Sequence, residues 1–131
     1  MPVTEVVTFK SDSGMDSKQR TVWWILQQHD RDHPMYGEAL EKRLSEEPNW
    51  KWDTVDHQRE IREVAHDLQH IYGKPVGSST VGYFIMKTKN ELGEAIVHKE
   101  KAAFGMLKTV GVLKKIMEDM ITQEDGQTKM F

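Results

Sequence analysis

"KPVGSSTVGYFIMKT", residues 74–88, carries two apolar runs around a small polar centre. Val76 and the run Val81 to Met86 are rich in strand formers, and "GSST" between them is turn chemistry. Two short strands closed by a tight turn form a β-hairpin. Four residues separate Gly77 from Gly82, the outline of a phosphate loop. Tyr83 and Phe84 occupy the places where that loop needs Lys and Ser or Thr, so nothing would reach the terminal phosphates. Ser78 and Ser79 do not fit a nucleophile elbow, which needs Gly two residues either side of the Ser and a helix after it. They read as turn residues.

Helical patterns flank the hairpin. Upstream, Ile61, Val64, Ala65, Leu68 and Ile71 make a continuous apolar stripe. Asp53 or Thr54 can cap this third helix, which runs to Tyr72. Gly73 sits where a left-handed residue ends a helix, and Pro75 follows. The spacing predicts a first helix capped by Ser17 and running to about His29, with Val22, Ile25, Leu26 and His29 on one face, and a break at "DRDHP". A second helix fits Met35 to Glu46, with Ala39, Leu40 and Leu44 inside. "NWKW" is a loop or short strand with two aromatic anchors. Residues 1–16 read as an arm, with a weak edge strand in "VTEVVTF".

Downstream, a helix is expected from Asn90 to Thr122, roughly 50 Å at 1.5 Å per residue. Leu92, Ile96, Lys99, Ala103, Met106, Val110, Leu113, Met117 and Met120 alternate four and three apart, a heptad seam with one Lys in it. A domain this small does not cover that length. The seam from Ala103 to Met120 therefore predicts self-association, as a homodimer or higher oligomer, ahead of folding back on its own domain. Residues 123–131 are polar and are expected to be a disordered tail. The organisation is thus an arm (1–16), a compact domain (17–89), an oligomerisation helix (90–122) and a tail (123–131).

The chain has 131 residues, no cysteine and a formal charge of −3. Absent cysteine excludes disulfide frameworks and thiolate sites. The charge argues against binders that work by bulk positive charge, but not against a local basic patch. The start of the chain lacks a signal-peptide pattern and no apolar run reaches the roughly 20 residues that span a bilayer. A cytoplasmic protein is expected.

Two His-x-x-x-His pairs, His29/His33 and His66/His70, have a spacing that suits zinc on one helix face. The first straddles a helix end and the second lacks the adjacent Glu of zinc proteases. Neither is assigned a metal. Asp53, Asp56, Glu60, Glu63 and Asp67 are read as a solvated face partly paired with Arg59 and Arg62. No cofactor and no catalytic residue is assigned.

Helix, helix, helix, hairpin, helix is the order of a winged helix-turn-helix, mainly α with a small β-hairpin, here followed by a long C-terminal helix. In that motif a recognition helix enters the major groove. Residues 56–96 resemble a winged-helix module of bacteriophage and prophage proteins. The likeness lies in Arg59, Ile61, Arg62, Leu68, Gly73, Pro75, Val76 and Ser78, then Gly82, Tyr83, Phe84, Thr88 and Glu91. It covers about a third of the chain and implies DNA-associated work in phage replication or gene control. The candidate DNA contacts are Gln58, Arg59 and Arg62 at the start of helix three, Lys74, Lys87 and Lys89 around the wing, and Lys51 before the helix. One departure stands against them: residues 53–73 hold five acids against two arginines, a net −3 on the element that would meet a polyanion. The rival expectation is a winged-helix module that binds a host or phage protein. A metal-dependent enzyme built on the histidines and acids is a third.

Overall fold

The computed structural model describes residues 6–130, with side chains through residue 123. Its order is a short 3-10 turn (Asp12–Gly14), α1 (Ser17–Leu26), α2 (Gly37–Ser45), α3 (His57–His70), β1 (Val76–Ser79), β2 (Gly82–Ile85) and α4 (Lys89–Met130). This is the expected mainly α architecture with one antiparallel hairpin and a long C-terminal helix. The chain divides into two compact units, Met1–Leu92 and Gly93–Phe131.

Local chemistry sets the helix starts. Asp16, not Ser17, caps α1: its carboxylate accepts from Gln19 N at 2.8 Å, and Gln19 Oε1 accepts from Asp16 N at 2.9 Å. This reciprocal box satisfies two backbone donors that have no helical partner. Asp56 caps α3 by accepting from Arg59 N at 3.1 Å, later in the chain than the Asp53 or Thr54 the sequence suggested. α1 ends at Leu26, so His29 lies in the turn that follows.

The core of the first unit joins one face of each of α1, α2 and α3 to the hairpin. Val22, Leu26, Leu40, Leu44, Ile61 and Leu68 are fully buried. Ala39, expected inside, is exposed. Trp23, Trp50, Trp52, Ile71 and Tyr83 pack partly buried against this cluster. Residues 6–11 form no strand; Lys10 N donates to Ile71 O at 2.8 Å, and the Phe9 ring covers Gly73. Residues 3–5 of the suggested edge strand lie outside the described residues.

The turn is tighter than expected, and β1 takes in residues assigned to that turn. Val76 pairs with Ile85 and Ser79 with Gly82, so the turn is Thr80–Val81 and both serines belong to β1. Val76 and Ile85 enter the main core, while the buried Phe84 ring lies over Gly77. A further rung joins Met35 to Tyr83, with N–H···O distances of 2.8 and 2.9 Å. Gly82 makes that rung possible. Its φ is +143°, and a Cβ there would sit 2.3 Å from Met35 O. Gly73, at φ +66°, turns the chain out of α3 as its position predicted.

α4 has 42 residues and runs on to Met130, beyond Thr122 and through the segment expected to be a tail. Among the described residues no helix is long and apolar enough to cross a membrane.

Candidate nucleic-acid interface

α3 buries Glu60, Ile61, Val64, Ala65 and Leu68 and turns Arg59, Arg62, Glu63, His66, Gln69 and His70 to solvent. The fold removes most of the acidic character expected of this helix. Asp53 and Asp56 precede its first turn. Glu60 points inward, 6% exposed. What remains on the helix surface is Glu63 and Asp67 against Arg59 and Arg62, a balanced face rather than a negative one.

Glu60 is held by donors from three residues, the Thr54 hydroxyl adding a longer contact to Oε1 at 3.4 Å. Lys18 Nζ reaches Oε2 at 2.9 Å, and the amides of Asp53 and Thr54 reach Oε1 at 2.8 and 3.1 Å. Burial, the largest single influence, pushes the carboxyl up. The Lys18 hydrogen bond and the two amides together outweigh it, and Glu60 is held below its ordinary value. Lys18 is raised: burial pulls it down, but its bonds to Asp53 and Glu60 prevail. This knot ties α1 and the preceding loop to the first turns of α3, and so fixes the helix that carries the arginines. Trp50 and Trp52 reinforce the same end. Trp52 stacks on His57 with ring centroids 4.0 Å apart and donates to Ser45 Oγ at 3.1 Å. Lys18 Nζ lies 5.1 Å from the Trp50 ring centroid.

The seven cationic or polar candidates divide. Gln58 is turned inward across the helix pair: its Nε2 donates to Gly37 O at 3.0 Å and Glu41 Oε1 at 2.9 Å. Lys74 lies across Trp23, 5.0 Å from the ring centroid, and pairs with Asp12 at 2.8 Å. Both therefore hold the fold together. Arg59 is exposed and pairs with Glu63 at 3.2 Å, one turn along the same helix. Arg62 is exposed beside β2, where its charge partly offsets the upward push of burial on the Tyr83 hydroxyl. Arg62 thus stands where α3 meets the hairpin. Lys51, Lys87 and Lys89 are exposed, the last two at the foot of the hairpin. There Lys87 N donates to Glu91 Oε2 at 2.7 Å, and Glu91 N donates to Thr88 Oγ1 at 3.1 Å, which starts α4. The hairpin tip itself, Ser79 to Val81, bears no cation.

Sequence reasoning did not find His66 and His70 as part of this face. Their rings stack, centroids 3.8 Å apart and 13° between planes, beside Arg62 on the same exposed side of α3. The i, i+4 spacing was visible, but it was weighed only as a metal pair. Among the described residues no group of three or more potential ligands converges on a metal position. His29 and His33 are occupied locally: His29 Nδ1 lies 3.1 Å from His33 O, and His33 Nδ1 lies 2.9 Å from Asp30 Oδ1. That contact to His33 chiefly holds the Asp30 carboxyl below its ordinary value.

Three helices, an antiparallel hairpin and a long C-terminal helix follow one another in the order consistent with a winged helix-turn-helix. Comparison with protein-family models, with curated proteins and with solved structures gives no match to this chain.

Proposed function

We propose that this chain is a non-catalytic DNA-binding protein that lays α3 in the major groove of a duplex and its hairpin against the adjacent backbone. The resemblance noted in the sequence points the same way, towards phage replication or gene control. One observation carries the reading: Arg59 and Arg62 stand exposed on the outer face of a helix whose inner acid, Glu60, is neutralised within the core. Arg62 and Arg59 supply base or phosphate contacts, and Lys51, Lys87 and Lys89 supply phosphate contacts. Gln58 and Lys74 support the helix and the hairpin from behind.

The test is a fluorescence-anisotropy titration of the full chain against duplex and single-stranded oligonucleotides at about 50 mM salt, where backbone contacts are strongest. Saturable binding of duplex is expected. Retention of neither duplex nor single strand at that salt overturns the reading. A stoichiometric protein partner in the absence of DNA binding would transfer the same surface to protein recognition.

A further inference from the structure

α4, taken by itself, presents an exposed apolar surface. Ile96, Met106, Val110, Leu113, Met117 and Met120 are all between 45% and 69% exposed. Their four-three spacing is the signature of packing against another helix of like spacing. We propose that the occupant is a second copy of α4, and that the two run antiparallel, with Ile96 of each opposite Met120 of the other.

Charge decides the direction. The seam alternates two classes of position: Ile96, Ala103, Val110 and Met117 in one, Lys99, Met106, Leu113 and Met120 in the other. An antiparallel pair sets each class against the other. Aligning Ile96 with Met120 also aligns Lys99 with Met117, Ala103 with Leu113, and Met106 with Val110, so the seam from Ile96 to Met120 pairs throughout in one register, with Leu92 beyond it. The same register brings Glu100, on the rim, opposite Lys114 of the other copy, and does so twice by symmetry. Among the described residues neither Glu100 nor Lys114 has an ion-pair partner in its own chain, whereas Lys115 pairs with Asp119 at 3.2 Å. Leu107 meets its own copy on that rim, and Ala102 meets Ile116 on the other.

A parallel pair loses these contacts. It opposes Lys99 to Lys99 in the centre of the seam, a like-charge contact among apolar residues. It also faces Glu100 with Ala95 and Lys114 with Thr109. In the antiparallel pair Lys99 lies instead about 3 Å along the axis from the level of the other copy's Asp119.

The chain contains no cysteine, so single-cysteine variants report the direction without background. Static light scattering of the full chain at tens of micromolar should return at least twice the 15.2 kDa chain mass. Under oxidising conditions, a mixture of Ile96→Cys and Met120→Cys chains should form the mixed disulfide. Ile96→Cys alone should not cross-link, because the two positions 96 lie roughly 36 Å apart along the axis. Separately, Glu100→Lys should weaken dimerisation roughly fivefold, and adding Lys114→Glu should restore it. A monomeric mass overturns the pairing. Self-cross-linking of Ile96→Cys, absence of the mixed disulfide in an oligomeric sample, or charge variants without effect overturns the direction. These readouts do not involve DNA and stand or fall apart from the proposed function.

Discussion

Glu60 shows how one buried carboxylate can decide the character of a surface. Its donors come from Lys18, Asp53 and Thr54, so Glu60→Gln keeps one oxygen for the amides but sets an NH2 against the Lys18 ammonium and leaves that charge unpaired by Glu60. Glu60→Gln is expected to cost about 1–3 kcal/mol, read as a lowered melting temperature. The pH dependence follows from the two shifts. Glu60 is held below its ordinary value, so its contribution is complete above about pH 4.3 and is lost as pH falls through the lower folded value. Lys18 is raised, so its contribution is complete below about pH 10.4 and is lost as pH rises through the higher folded value. Thermal melts should therefore decline at both ends, and Glu60→Gln should flatten the acidic decline; an unchanged acid limb would count against the knot. Gly82 makes a second residue-scale case. At φ +143° and against Met35 O, Gly82→Ala should cost at least ~2 kcal/mol, and wild-type stability in that variant would refute the close approach.

α3, the hairpin and α4 were each legible in the sequence because their signals are local. An apolar stripe at helical spacing, a glycine after it and strand formers around a turn need no partner far along the chain. What was hidden is what distant residues do to individual side chains. Glu60 looked like part of an acidic face because Lys18 lies 42 residues away. Lys74 looked free because Asp12 lies 62 residues away, and Gln58 because Gly37 lies 21 residues away. The hairpin turn moved to Thr80–Val81 because the pairing that places Gly82 beside Met35 is also non-local. These assignments separate two kinds of variant on neighbouring elements. Arg62→Ala should weaken DNA binding by about 1–3 kcal/mol with little loss of stability, since its side chain is exposed. Lys74→Ala should lower stability by losing the Asp12 pair and the cover on Trp23, while DNA affinity of the folded protein changes little. The reverse pattern, measured by anisotropy and thermal melts on both variants, would exchange their roles.

Over the whole chain, a formal charge of −3 coexists with a proposal of DNA binding. The two are compatible only if contact is confined to a few cations, because the rest of the molecule repels the duplex and adds no affinity. Arg59, Arg62, Lys51, Lys87 and Lys89 are the exposed cations assigned to that contact, and Arg59 shares its charge with Glu63. Roughly four neutralised phosphates are therefore expected, far fewer than a strongly basic binder engages. The dependence of duplex affinity on salt tests this most directly. Plotted as log affinity against log salt between about 50 and 200 mM, the full chain should give a slope of roughly −3 to −4, and Arg62→Ala a slope shallower by up to about one. Undetectable binding at 50 mM, or an affinity that does not change with salt, would contradict the account.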